Sequence, residues 1–387
     1  MIIEGLQPEV RVKMDFNLPQ DIIKIKDVFQ KNKFKLYVVG GAVRDLIKKE
    51  TPKDFDLATD AVPDKVEEIM NKAGFKTLPT GKQFGVINVF TKDNEYEIAT
   101  FRKDIGSSDG RRPDSVEFTS IEGDVSRRDL TINGLFYDIE TKEVVDLVGG
   151  IEDIKNGVVR TIGSPDDRFK EDKLRILRAI RFAARLGNNL DPAIDASLRK
   201  DSNLGSISGE RIRDEFLKGL KSAKSTKHFL EMLNEYNLFK YIFQGLNVDL
   251  SMIKKLKPKE EDYIVLLARL LHSNDVGTIK KVLNERKYSV DEIKAITFLI
   301  SLQKLNVDTA TMLKRAQEHA GVSPEQIKEF ALKMGLDMKL VDSFLKYYLS
   351  VNGGEVMEKT GLKPGKQLGD EISRLEKEIF INILNNG

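Results

Sequence analysis

Val39-Gly40-Gly41-Ala42-Val43-Arg44-Asp45, followed by Lys53-Asp54-Phe55-Asp56-Leu57, is the stretch on which the reading of this chain turns. Leu36-Tyr37-Val38-Val39 just before it is a short apolar run with the signature of a buried strand, cut by the glycine pair. A strand, two glycines and a helix start let backbone N–H groups approach a polyphosphate closely, and Arg44 adds positive potential there. Asp54 and Asp56 stand two apart, so in a strand they share one face. Two carboxylates on one face are costly unless a cation neutralises them, and hard oxygen ligands suit Mg²⁺. A pair of such ions activates an attacking hydroxyl and neutralises a leaving group. Either signature alone is commonly a plain turn or a solvated edge. Joined within a few residues, they point to a metal and polyphosphate site.

Working outward, the first 13 residues read as an extension, because Met14-Asp15-Phe16-Asn17-Leu18-Pro19 itself suits the opening of a domain. Ile22, Ile23, Ile25, Val28 and Phe29 predict a helix over 20–31. Strand-like runs at 84–90, 96–101, 116–118 and 134–139 then alternate with a few helices up to Val148. From Gly149 onward the pattern is nearly all helical. Ser164-Pro165-Asp166-Asp167 is a helix start, and that helix is expected to run to Leu186, where Gly187-Asn188-Asn189 stops it. Ser208-Gly209-Glu210 opens another, through Leu220. The expected class is therefore α+β, with a mixed-sheet domain over 1–148 followed by all-α segments over 149–222 and 223–387.

The bulk numbers set limits. A chain of 387 residues with 40% hydrophobic and 32% charged residues is globular and too long for one core. With no cysteine there is no disulfide framework or thiolate metal site, which fits a reducing compartment. No apolar run approaches the roughly 20 residues of a membrane helix, and Met1-Ile2-Ile3-Glu4-Gly5 lacks the basic start of a signal peptide. A cytoplasmic location without membrane contact is expected. Net charge is only +2, so any grip on nucleic acid must come from local patches. His228, His272 and His319 are dispersed and read as structural.

Gly40-Gly41-Ala42-Val43-Arg44-Asp45 with Asp54-Phe55-Asp56 resembles the first motif of the bacterial class II tRNA nucleotidyltransferases and their poly(A) polymerase relatives, within the polymerase-β-like superfamily. The resemblance continues along most of the chain. It implies a catalytic head over 1–148, a nucleobase-selecting neck over 149–222, and a tRNA-binding body and tail over 223–387. It also implies nucleotidyl transfer from CTP and ATP to the tRNA 3′ end, with Asp54 and Asp56 holding two Mg²⁺ ions. Gly40, Gly41 and Arg44 are then expected at the triphosphate. Arg127-Arg128-Asp129-Leu130-Thr131-Ile132-Asn133-Gly134 is similar to the family's second motif, at the triphosphate and the ribose 2′-hydroxyl. Asp129 and Asn133 are able to hydrogen-bond sugar hydroxyls while Arg127 and Arg128 neutralise phosphate. The family usually has Ala or Ser where Gly134 stands, a change expected to loosen the backbone. Glu97, on a neighbouring strand run, is a candidate third carboxylate, although a strand glutamate is as readily a solvated one.

Glu171-Asp172-Lys173-Leu174-Arg175 resembles the family's base-selecting motif. Three apart on one helix, Asp172 and Arg175 would share a face. The aspartate accepts from an exocyclic amine and the arginine donates to a ring nitrogen, a pattern that cytosine and adenine satisfy and that uracil and guanine oppose. Arg178, Arg181 and Arg185 continue a basic stripe from Arg175, facing the nucleotide or the RNA end. The exposed-face alternative has Glu171 paired to Arg175 at i,i+4.

Arg102-Lys103-Asp104, with the polar run through Arg111, Arg112 and Asp114, resembles the family's flexible loop, associated with the switch from C to A addition. Glu210 to Phe216 resembles its last motif, a brace between helices. Lys218, Lys221, Lys224 and Lys227 are candidate phosphate contacts for the acceptor stem, though lysines at this spacing are commonly just solvated. The competing readings are an enzyme adding only the terminal A, a bacterial poly(A) polymerase, and an inactive RNA-binding relative. Thr80-Gly81-Lys82-Gln83-Phe84-Gly85-Val86 resembles the tRNA branch rather than the poly(A) polymerases. No obligate protein partner is indicated.

Overall fold

Strand β2 (Leu36–Val39) is buried along its whole length: Leu36 and Val38 enter one apolar core, Tyr37 and Val39 another. The period-two alternation of a strand thus feeds two layers, which explains why this segment is apolar throughout. The computed structural model describes residues 4–106, 114–260 and 262–386. A first compact unit ends at Ile207 and a second begins at Ser208.

In the first unit, eight strands form one mixed sheet. Besides β2 these are β1 (Val10–Lys13), β3 (Asp56–Thr59), β4 (Lys76–Leu78), β5 (Val86–Phe90), β6 (Glu95–Thr100), β9 (Leu135–Asp138) and β10 (Glu143–Asp146). Their order is β1-β10-β9-β2-β3-β6-β5-β4. Strands β3 and β6 run parallel, and the remaining neighbours are antiparallel. A separate hairpin pairs β7 (Arg102–Ile105) with β8 (Ser115–Phe118). Helices α1 (Gln20–Lys31), α2 (Gly41–Ile47) and α3 (Pro63–Lys72) bury Ile22, Ile25, Phe29, Val43, Val66 and Met70 in the core on one face. On the other face, Phe101, Val125, Phe136, Val148 and Ile162 make the second core, beside α4 (Ile121–Ser126), while Ile151 and Ile154 of α5 (Gly150–Asn156) pack against the first.

Two expectations change. Residues 10–13 are not a free extension: Val10 to Lys13 pair with Asp146 to Glu143 as the sheet's edge strand. The helix expected from 165 to 186 is two helices, α6 (Pro165–Glu171) and α7 (Leu174–Leu186). Asp172 between them is extended, with φ −147° and ψ 106°. Gly187 stops α7 in the left-handed region at φ 69°, as its sequence suggests.

The second unit is helical in its described residues, from the helix Gly209–Ser222 to the C-terminal helix Lys366–Asn386. Ser208 caps the first of these by accepting from the Arg211 amide. Phe216, buried, stacks near Phe229 and meets Phe243 edge-on, as a bracing role requires. Buried Glu376 of the C-terminal helix accepts from Tyr347 Oη and from the Ser350 and Val351 amides, each at 2.7 Å.

Candidate active site

Asp56 is the first residue of β3 and lies opposite Val39, the last of β2. Asp54 falls in the segment before β3, so the strand supplies only the second aspartate. Leu57 pairs with Ile98, which sets Glu97 beside Asp56 across the parallel strands. All three carboxylates line a cavity of about 540 Å³ together with Pro19, Lys53 and Tyr96. Burial pushes the Asp56 pKa up; nearby Arg128 opposes that and the Asp54 charge reinforces it. Burial and then the Asp56 charge likewise raise Glu97. These are the electrostatics of a site short of positive charge. Among the described residues no three His, Cys, Asp or Glu side chains cluster closely enough to hold one metal ion. Glu97 stands beside the aspartate pair in that cavity.

Asp56 also borders a second cavity, of about 380 Å³, whose walls carry Gly40, Gly41, Arg44, Arg127, Arg128, Asp129, Asn133, Asp172, Arg175, Arg178, Phe182 and Arg185. The segments that the sequence singles out at 40–44, 127–133 and 172–185 thus converge on one hollow. Gly40 turns the chain there with φ 69° and ψ −131°, a conformation that favours glycine.

The two arginines of the second motif are held from behind. Asp124, 1% exposed, accepts from Arg127 Nε at 2.9 Å on one oxygen and from Arg128 Nη2 at 2.8 Å on the other. Burial would raise the Asp124 pKa, but Arg128 and Arg127 outweigh it and hold the carboxyl below its usual range. The Arg128 guanidinium also lies 4.9 Å from the centre of the Phe136 ring. Sequence reasoning missed Asp124; its only signal is the i,i+3 and i,i+4 spacing to the arginines.

Asp129 accepts from Arg178 Nε at 2.7 Å and from the Leu130 amide at 2.9 Å. Its burial is likewise outweighed by Arg178, which keeps it low and ionised. Arg44 lines the same cavity and is already engaged by neighbours. It is 1% exposed, donates to Asp45 through Nε at 2.9 Å and Nη2 at 2.7 Å, and to Asn133 Oδ1 at 2.6 Å. A guanidinium so engaged is a fixed part of the cavity wall. Gly134 is corrected. A methyl group there would lie 2.8 Å from Ile162 Cδ1 and 3.0 Å from Val148 Cγ2, so the glycine makes room for packing instead of loosening the backbone.

Asp172 and Arg175 do not share a helix face, because the helix breaks between them; they meet in the cavity wall from two sides of the joint. The Asp172 side chain accepts from the Leu174 amide at 2.9 Å. Arg175 pairs with Glu171, the expected i,i+4 contact, and donates to the Arg168 and Arg127 carbonyls at 3.3 Å each. Of the basic stripe, Arg175, Arg178 and Arg185 line the cavity. Arg181 does not: it is 9% exposed, with its guanidinium 4.3 Å from the centre of the Phe182 ring. Phe182, a cavity residue the sequence did not single out, was hidden by looking like ordinary core.

Arg102 and Asp104 sit in strand β7 rather than in a loop, while Arg111 and Arg112 lie outside the described residues. Asp104 approaches Arg127 at 3.9 Å, and the Arg102 amide donates to Asp124 at 3.3 Å. Lys218 and Lys221 are exposed on the helix Gly209–Ser222 of the second unit. Lys224 follows the end of that helix and Lys227 belongs to the next, so the four do not form one helical face.

The head-domain model of poly(A) polymerases matches residues 36–160, and a model described as a probable RNA and SrmB-binding site of polymerase A matches 189–250. A CCA-adding enzyme of Ligilactobacillus salivarius is 33% identical over 96% of this chain and 95% of its own. The chain belongs to the CCA-adding enzymes. The CCA-adding enzyme of Bacillus subtilis is also 33% identical, over 90% of this chain and 91% of its own. A crystal structure of the Bacillus stearothermophilus CCA-adding enzyme in complex with CTP superposes with a TM-score of 0.71, at 27% identity, covering 94% and 93% of the two chains. As a CCA-adding enzyme the chain is a nucleotidyltransferase of a family that uses divalent metal, and the fold expected from its sequence is the one observed. No helix among the described residues is long and apolar enough to cross a membrane.

Proposed function

We propose that this CCA-adding enzyme builds the whole C-C-A end of tRNA from CTP and ATP, with Asp54 and Asp56 holding two Mg²⁺ ions and Asp172 with Arg175 choosing the base. The observation that carries this is the convergence on one hollow of Asp56, the Asp124-anchored arginines and the Asp172–Arg175 pair. The aspartates fit the metal: two adjacent carboxylates, one with a raised pKa, need a dication to stay charged together. When bound, such ions lower the pKa of the attacking 3′-hydroxyl and stabilise the departing pyrophosphate.

The chain's own groups do the rest. Arg127 and Arg128, held rigid by Asp124, present charge to the triphosphate at no cost of reorganisation. Asp129 and Asn133 receive the ribose hydroxyls, and Phe182 supplies an apolar surface at the base end. Asp172 accepts from the exocyclic amine of C or A while Arg175 donates to the ring nitrogen; U and G offer the opposite pattern at both positions. The domain roles follow: head over 1–148, base-selecting neck over 149–222, tRNA-binding body and tail over 223–387, with a cytoplasmic location.

Transcripts of tRNA lacking CCA, CA or A, each supplied with single nucleotides, test the reading. C-C from CTP and then one A from ATP is the expected result. Long A tails would identify a poly(A) polymerase, and A addition only to CC-ended tRNA would identify an A-adding enzyme. Retained rejection of UTP and GTP by Asp172→Ala or Arg175→Ala would defeat the base-reading role.

A further inference from the structure

Asp45 is the charged end of the first motif, yet it is absent from the cavity wall while five residues joined through it are present. Arg178 of α7 donates to Asp129 Oδ2 at 2.7 Å, and Asn133 stands near enough to that carboxylate to help hold its pKa down. Asn133 Oδ1 accepts from Arg44 Nη1 at 2.6 Å. Arg44 grips Asp45 Oδ1 through two nitrogens, at 2.9 and 2.7 Å. Asp45 Oδ2 accepts from Arg185 Nη2 at 3.1 Å, which returns the chain of contacts to α7. Arg178 and Arg185 are seven residues apart, two turns on one helix face, separated by about 10 Å along the axis.

This circuit has physical consequences. A guanidinium only donates, so Asn133 must turn its carbonyl oxygen to Arg44 and its amide nitrogen to the cavity side. The apolar face of α7, with Ile176, Leu177, Ile180 and Ala183 buried, holds the helix down without fixing its rotation or sliding, because apolar contact is non-directional. The arginine forks do fix it. Arg44, Asp45, Asn133 and Asp129 are at most 9% exposed. Buried ion pairs of this kind are poor sources of stability and are better suited to fixing position.

We propose that Asp45 is a positioning residue for nucleotide selection: through Arg185 and through Arg44 and Asn133 it sets α7 against the ribose-binding groups. Base and sugar are then judged in one rigid frame. This rests on the reading that Asp172 and Arg175 choose the base and Asp129 and Asn133 the sugar.

The test is single-nucleotide addition by the full chain to tRNA lacking CCA, with kcat and KM measured separately for CTP, UTP and dCTP. Asp45→Asn is expected to lower the CTP/UTP and CTP/dCTP preferences by roughly tenfold each. Arg185→Gln cuts the same link at its half-exposed end, so it carries the test even if Asp45→Asn folds poorly. It should move both preferences in the same direction, and the double variant should lose little more than Asp45→Asn alone. Wild-type preferences in both variants, with only a lower Tm, would overturn the proposal. Asp172→Ala and Arg175→Ala run alongside: if they still reject UTP, the base-reading assignment fails and takes the proposal with it. If they lose that rejection while Asp45→Asn and Arg185→Gln keep theirs, only the positioning role is overturned.

Discussion

Asp124 shows what one residue contributes from outside the cavity. Its two oxygens hold two arginines, and both bonds need the ionised carboxylate. Because the folded pKa is depressed, the stability it contributes is fully present above the unfolded value, about 4, and is lost as pH falls through the folded one. Asp124→Asn should therefore cost about 3–5 kcal/mol at neutral pH, and its unfolding curves should converge with those of the wild type only once the pH has fallen below the depressed folded pKa of Asp124. A difference that persists unchanged at acid pH would mean the ion pairs contribute nothing. Most site residues were legible from sequence because their chemistry is carried by rare combinations: Gly-Gly before a helix, Asp-x-Asp, Arg-Arg-Asp. Asp124 and Asp45 were not read this way, since a single buried carboxylate announces its partners only in three dimensions. The partners of Arg44 were hidden for the same reason; sequence shows a charge beside glycines but not that it is held by Asp45 and Asn133.

At the scale of elements, start and stop signals were reliable and interruptions were not. Helix α1 and the left-handed end of α7 fall where the sequence indicates. The joint at Asp172–Lys173 left no trace, because neither residue forbids a helix and the apolar spacing continues across it. Strand β1 was missed because Val-Arg-Val-Lys alternates for only four residues, and its Val10 is 51% exposed. The C-terminal helix Lys366–Asn386 is held differently, by Glu376 accepting three hydrogen bonds. Glu376→Leu strands those donors and should lower the stability of the second unit by about 1–3 kcal/mol, read as a lower urea midpoint at unchanged slope. A changed slope with the same midpoint would point to the unfolded state instead.

Across the whole molecule, charge is divided unevenly. The first 207 residues hold 34 Lys and Arg against 36 Asp and Glu, and the remainder hold 29 against 25. The unit bearing the candidate active site is thus slightly acidic, so attraction for RNA must be local there and modest elsewhere. Replacing Lys218, Lys221 and Lys224 by Ala should flatten the plot of log Kd for tRNA against log salt by about one unit per lysine that touches phosphate; an unchanged slope assigns all three to solvent. One feature of the unit described first reaches further. Asp56 borders both hollows, the acidic one and the arginine-lined one. A wall shared by two chambers makes their occupants thermodynamically linked: whatever factor CTP applies to the affinity for Mg²⁺, Mg²⁺ must apply to the affinity for CTP. Calorimetric titrations run in both orders should return that single factor, and Asp56→Asn should bring it close to one.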